Sequence, residues 1–183
     1  MRKDYEIILN LIPENSKVLD IGCSDGELIT YLENKGISAQ GVELNQEKVI
    51  KCLEKGLDVI HGDINLIVED FPFNQFDYCL LTQTIQAVQE PDQLLNTLKK
   101  VSKNIIVSFN NSARLSKISN FLLTGSFDSL LKKANSDHWY NTDYIHPCSI
   151  KDFKKLATDL DLKIISTFDA VSYTHLRAHE TLD

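Results

Sequence analysis

Apolar positions along this chain alternate between a helical spacing and short continuous runs, and that alternation predicts most of its elements. Tyr5, Ile8, Leu9 and Ile12 share one helical face, and Pro13 with Glu14-Asn15-Ser16 ends that first helix. Residues 17–21 read as a strand, and Leu28, Ile29 and Leu32 form the stripe of a helix over 26–35 that Gly36 stops. A second strand over 39–43 leads to a helix over 46–55 carrying Val49, Ile50 and Leu53, closed by Gly56. Further strands are expected at 58–61 and 76–81. Pro91 then opens a helix with Leu94, Leu95, Leu98 and Val101, followed by a fifth strand at 104–109. Strands alternating with helices across short glycine-marked turns imply a parallel sheet covered on both faces. The expected fold class is therefore α/β, doubly wound, with a mostly parallel sheet.

The pattern weakens between 110 and 147. Leu115, Ile118, Phe121, Leu122 and Leu123 read as helical, and an excursion of this length at the ligand edge of the sheet is where a lid over a site belongs. Regular structure is expected to resume at Ser149, an N-cap with Asp152 three residues on, through a helix to Leu160 and a strand over 163–168. With no internal repeat or linker, residues 1–170 are read as a single domain.

Composition narrows the function classes. The chain has 183 residues, 43% of them hydrophobic, with a formal net charge of −7. That balance argues against a general nucleic-acid surface, which needs clustered Lys and Arg. The Lys132-Lys133 and Lys154-Lys155 pairs read as solvated helix faces. No segment is apolar enough for long enough to span a membrane, and Asp4 and Glu6 interrupt any leader, so a cytoplasmic protein is expected. Cys23, Cys52, Cys79 and Cys148 are scattered without a C-x-x-C pair, which suggests neither a zinc site nor a disulfide framework.

The run from Val171 to Thr181 resembles the translated read-through of a sequencing adapter, so residues 171–183 are read as a non-native tail rather than as an ordinary C-terminal strand. His175 and His179 then carry no functional information. Without Arg177, Glu180 and Asp183 the balance becomes 18 basic against 24 acidic residues, which leaves the charge argument unchanged.

In an open parallel sheet, ligands bind beyond the carboxyl ends of the strands where the winding reverses. Asp20 and the Gly22-Cys23-Ser24-Asp25-Gly26 turn end the first strand, Glu43 ends the second 23 positions later, and Asp63 follows the third. Glycine permits positive φ and close backbone approach, and the helix that follows presents unpaired N–H groups. A carboxylate at the tip of the second strand can accept both ribose hydroxyl hydrogens. A dinucleotide oxidoreductase would use a similar acid, and an α/β domain that binds no nucleotide could carry the same turns.

The form of the turn discriminates. Asp20-x-Gly22-x-x-x-Gly26 resembles motif I of the class I S-adenosylmethionine-dependent methyltransferases, with Glu43 and Asp63 in register. The resemblance implies a Rossmann-like methyltransferase fold. It implies that Asp20 organises the turn near the methionine moiety, Gly22 makes close backbone contact, Glu43 binds ribose and Asp63 lies on the adenine side. Leu19 to Leu28, Gly41-Val42-Glu43, Leu81-Thr82-Gln83-Thr84-Ile85-Gln86-Ala87-Val88, Ile106 to Phe109, Trp139 to Thr142 and Ile145 to Phe153 together resemble the methionine biosynthesis protein MetW family. That resemblance covers residues 15–170, and the block after the fourth strand is its most specific part.

The family resemblance implies a site for S-adenosyl-L-methionine or S-adenosyl-L-homocysteine drawn from Asp20, Gly22, Cys23, Ser24, Gly26, Glu43, Leu44, Asp63, Ile64 and Thr82. It also implies a role in methionine biosynthesis beside homoserine O-acyltransferase (MetX), either as a methyltransferase or as an accessory subunit. The alternative is an ordinary class I methyltransferase acting on a small molecule. The chain departs from the family in two places. Ser24 stands where glycine is usual, and Asn110-Asn111-Ser112 replaces a proline-containing segment.

Acceptor-side candidates are Gln83, Gln86, Tyr140 and His146. The two amides could orient a polar substrate or equally cap the end of the strand. His138 or His146 could serve as a base, but a loop histidine satisfied by neighbouring carbonyls, with Trp139 and Tyr140 as anchors, is the favoured reading. Cys23 and Cys79 lie in apolar contexts unsuited to a nucleophile. This fold normally places a final antiparallel strand between the fifth and sixth. Its loss would leave 163–168 at an unpaired edge, which residues 171–178 alternate enough to fill.

Overall fold

The computed structural model describes residues 2–127 and 145–169. Its elements follow the expected order. Helix α1 (Lys3–Leu11) precedes β1 (Lys17–Ile21), α2 (Glu27–Asn34), β2 (Ser38–Glu43), α3 (Gln46–Glu54) and β3 (Val59–His61). A short α4 (Ile64–Ile67) and a 3₁₀ turn (Val68–Asp70) lead to β4 (Phe76–Thr82), a second 3₁₀ turn (Ile85–Ala87), α5 (Pro91–Val101) and β5 (Ser102–Ser108). Helices α6 (Leu115–Thr124) and α7 (Ile150–Asp159) complete the described elements.

The five strands form one parallel sheet in the order β3-β2-β1-β4-β5. Consecutive strands run outward from β1 to β3, and the chain then returns to the other side of β1 for β4. The winding therefore reverses between β1 and β4, which opens a crevice at their carboxyl ends. Side chains alternate between the two faces of the sheet. Val18, Ala39 and Leu80 join Ile8, Leu28, Ile29 and Leu32 in the layer of α1, α2 and α3. Leu19, Ile21, Cys79 and Leu81 join Leu94, Leu95 and Leu98 of α5 on the opposite face, with Phe153 and Leu156 of α7 at its margin. Each fully buried Leu or Ile contributes about 1.5–3 kcal/mol, so both layers hold the sheet strongly. Two residues on from Val18, Asp20 belongs to the α1/α2/α3 side of β1.

Local chemistry fixes the helix ends. The Asn45 side chain accepts from the Lys48 N–H to start α3, and Pro91 opens α5. Ser149 and Asp152 form the expected reciprocal capping box on α7. Neither α4 nor the 3₁₀ turns were expected, because elements this short show no periodicity in sequence.

The expected sixth strand is a correction. Residues 162–169 carry no ladder, and among the described residues β5 pairs with β4 alone. A strand is stable only when a neighbour takes its N–H and C=O groups, and the segment that would pair with 163–168 lies outside the described residues. Ile165 and Phe168 are accordingly exposed, and a cavity of about 420 Å³ lined by Lys154, Thr158, Leu162 and Ile164 opens between this segment and α7. The tail from 171, together with His138, Trp139 and Tyr140, also lies outside the described residues. No described helix is long and apolar enough to cross a membrane.

Candidate functional site

The β1–α2 turn is built around positive φ. Gly22 (φ +72°), Ser24 (φ +55°) and Gly26 (φ +75°) alternate with ordinary residues and bring the chain out of β1 and into α2 within five positions. For Ser24 the left-handed conformation costs roughly 1 kcal/mol that glycine would not bear. The turn stays tied to the sheet, because the Gly22 and Cys23 N–H groups donate to the Val42 carbonyl at 2.8 and 3.2 Å. A Cβ on Gly22 would lie 2.7 Å from Thr84 Oγ1, so glycine there admits the side chain that follows β4. Thr84 in turn donates to the Ile21 carbonyl at 3.0 Å.

Glu43 is the pivot of the site. It is 7% exposed at the end of β2, and its two carboxylate oxygens hold two loops at once. Oε2 accepts from the Ser24 N–H at 2.8 Å, and Oε1 accepts from the Asn45 N–H at 2.8 Å. An ionised carboxylate offers about four acceptor directions, and among the described residues these bonds use one on each oxygen. The Gly62 N–H donates to the Glu43 carbonyl at 3.1 Å, which draws the end of β3 to the same place.

Asp20 adds an unsatisfied group. It is 2% exposed, and Oδ1 has no hydrogen-bond partner among the described residues. Burial pushes its carboxyl up from 3.8 to about 7, Arg2 opposes the shift, and the nearby Glu43 charge adds to it. A buried orphan acceptor beside a backbone turn fits a cationic or hydrogen-donating ligand group. Burial likewise raises the thiols of Cys23 and Cys52, and Cys52 Sγ lies 3.3 Å from the Ser24 carbonyl, so both pack the turn as neutral groups.

The other site candidates lie along the same edge. Asp63 caps α4, with Oδ1 accepting from the Asn65 N–H at 2.9 Å, while Ile64 is buried in the core beside β4. Leu44 is exposed, and its carbonyl meets His61 Nε2 at 3.0 Å. Thr82 Oγ1 is buried without a partner among the described residues. Gln83 takes a positive φ of +57°, and its N–H is shared between the Ser108 carbonyl and hydroxyl.

Gln86 is 2% exposed and works as a clasp. Its side chain accepts from the Asn110 N–H at 3.0 Å and donates to the Asn110 carbonyl at 3.2 Å, while its own carbonyl accepts from the N–H groups of Ile145 and His146. Of its two sequence readings, these bonds match the backbone-pairing one. His146 Nε2 meets the Gln89 carbonyl at 3.1 Å, and Tyr140 lies outside the described residues. Sequence reasoning assigned no role to Asn45, Thr84 or Ser108. Thr84 carried a signal, since it lies in the block after β4 singled out as specific. Among the described residues, no group of three His, Cys, Asp or Glu could hold a metal ion.

The family model described as methionine biosynthesis protein MetW matches residues 2–181. A relative from Rhodopirellula baltica, a bifunctional methionine biosynthesis protein MetXA/MetW, is 32% identical over 170 residues. That match covers 88% of this chain and 27% of the relative, so the chain spans about a quarter of the relative's length. Among solved structures, a methyltransferase from Methanosarcina mazei superposes with a TM-score of 0.65 at 19% identity, covering 84% of this chain and 82% of that one. The [4+2]-cyclase SpnF superposes with a TM-score of 0.62 at 17% identity, covering 87% and 56%. The superpositions establish a class I methyltransferase fold, and the cyclase shows that this fold does not fix the reaction.

Proposed function

The chain belongs to the methionine biosynthesis protein MetW family, and from that premise we propose that it binds S-adenosylmethionine or S-adenosylhomocysteine at the β1–α2 turn and acts with homoserine O-acyltransferase. The observation that carries the cofactor reading is the Glu43 arrangement. One carboxylate fixes the Ser24 and Asn45 N–H groups and keeps an acceptor direction on each oxygen for a ribose diol. Asp20 Oδ1 supplies the acceptor for the charged methionine end, and Asp63 stands at the adenine side. Cys23, Leu44, Ile64 and Thr82 complete the site through the surfaces beside these groups.

The ligand, when bound, supplies an already activated methyl group on a sulfonium centre. What the protein adds is positioning, so the absence of an assigned base on the acceptor side does not weigh against methyl transfer. Residues 1–170 are read as one unit with residues 110–147 on its acceptor side, and Gln83 and His146 lie where that region meets β4.

Joint action with the acyltransferase is supported by the relative that joins MetXA and MetW in one polypeptide. The test is an acyltransferase assay with this chain and S-adenosylmethionine added separately and together. An acylation rate that changes with the chain, and changes again with the cofactor, supports joint action. An unchanged rate under both additions, with methyl transfer to a small acceptor detected instead, would establish an ordinary class I methyltransferase.

A further inference from the structure

The amino end of α1 packs against α2, the helix into which the β1–α2 turn leads. The Tyr5 and Tyr31 rings meet with centroids 6.3 Å apart, and the Tyr31 hydroxyl donates at 3.4 Å to Glu27, the first residue of α2. Arg2 joins this cluster. Its guanidinium carbon lies 4.4 Å from the centre of the Tyr5 ring, and Nη1 donates to the Tyr5 hydroxyl at 3.0 Å. Asp4 accepts from Nε at 3.1 Å and from Nη2 at 2.5 Å. Among the described residues these bonds use three of the five N–H groups of the guanidinium. The side chain is thus braced by the ring and the Asp4 fork before any ligand arrives, and at 40% exposure it can still be reached.

The charge pattern gives this cation a task. S-adenosylmethionine ends in an α-amino acid, so that end carries an ammonium and a carboxylate together. Asp20 Oδ1 suits the ammonium. The carboxylate meets repulsion from Asp20 and Glu43, and from Glu27 where α2 begins, so it needs a fixed cation beside it. Arg2 acts electrostatically on both Asp20, where it opposes the effect of burial, and Glu27. Lys55 is another cation at the turn, with Nζ donating to the Asp25 carbonyl at 2.6 Å. Arg2 is favoured because its charge acts on Asp20 and because its planar fork matches a carboxylate.

We propose that Arg2, braced by Asp4 and Tyr5, binds the carboxylate of the methionine moiety while Asp20 accepts from its ammonium. The amino end of α1 then selects ligands that keep an intact α-amino acid end. The inference rests on the cofactor reading proposed above and adds to it the residue that recognises the carboxylate.

The test is calorimetric titration of the full chain with S-adenosylmethionine and with decarboxylated S-adenosylmethionine, which keeps the sulfonium and the ammonium and lacks the carboxylate. Wild type, Arg2→Gln and Lys55→Met are compared, and the unfolding midpoint checks that the variants fold. The wild type should bind S-adenosylmethionine at least about tenfold more tightly than the decarboxylated compound. Arg2→Gln should abolish that preference, binding S-adenosylmethionine at least about tenfold more weakly than the wild type does. It should bind the decarboxylated compound at least as tightly as the wild type, because Arg2 repels the ammonium. Lys55→Met should keep the wild-type preference. Equal wild-type affinity for the two compounds, or a preference that Arg2→Gln retains, would overturn the assignment of Arg2. Loss of the preference in Lys55→Met alone would place the carboxylate at Lys55 instead. Equal weakening of both compounds by Arg2→Gln would reduce Arg2 to a structural part of α1. Binding of neither compound by the folded wild type would overturn the cofactor reading, and this inference with it.

Discussion

Replacing Asp20 by Asn should stabilise the unliganded protein and remove a pH dependence that belongs to one atom group. The carboxyl is fully enclosed, its Oδ1 has no partner among the described residues, and burial carries it from 3.8 to about 7 against the opposing charge of Arg2. Because the folded value lies above the unfolded one, the native state keeps a proton that the unfolded chain has lost between those two pH values. The group's contribution is intact below about pH 4, declines as pH rises, and levels off above about pH 7. At 1.36 kcal/mol per unit the ceiling is about 4 kcal/mol. Asn cannot ionise, so the variant should lack this decline and gain roughly 2–4 kcal/mol on the wild type between pH 5 and 8. Urea unfolding at several pH values and constant ionic strength measures the difference, and an unchanged m-value shows that only the native state is affected. Parallel stability curves for the two proteins would refute the assignment of a buried titrating carboxyl. On the proposed cofactor reading the same variant should bind S-adenosylmethionine more weakly, a gain of stability at the expense of function.

Two further substitutions read out separate parts of the site. Ser24→Gly relieves the positive φ and keeps the N–H that Glu43 holds, so chemical denaturation should show a gain of roughly 0.5–1 kcal/mol. A loss would mean that the serine side chain holds the turn. Gln86→Leu removes the side-chain bonds to the Asn110 N–H and carbonyl and to the His146 carbonyl, and should cost about 1–3 kcal/mol. Hydrogen exchange should then speed at Asn110 but not at Ile145 or His146, which use the Gln86 main chain; uniform speeding would contradict the clasp.

Much of this was legible in the sequence because the elements around the crevice are long and strongly periodic. The strands from Lys17, Ser38 and Phe76 and the helices carrying Leu28, Val49 and Leu94 fall within a few residues of expectation, since each buries a face that shows as a period of 2 or 3.6. The Gly22–Gly26 turn and Glu43 were legible for a different reason, as residue types that only a few backbone positions demand. What was not legible depends on contacts distant in sequence. The clasp of Gln86 on Asn110 and His146, and the hold of Thr84 on Ile21, join residues 24 to 63 positions apart. Residues 163–168 have the composition of a strand, but β structure is decided by a neighbour, and none is present among the described residues.

The central claim is that Glu43 and the β1–α2 turn form a site for S-adenosylmethionine. Its most direct test is calorimetric titration of the folded chain with the cofactor, beside Glu43→Ala. Glu43→Ala removes both the anchor of the Ser24 and Asn45 N–H groups and the free acceptors, so the account predicts saturable binding by the wild type and none by the folded variant. Wild-type binding that Glu43→Ala leaves unchanged, or no binding by the folded wild type, would contradict it.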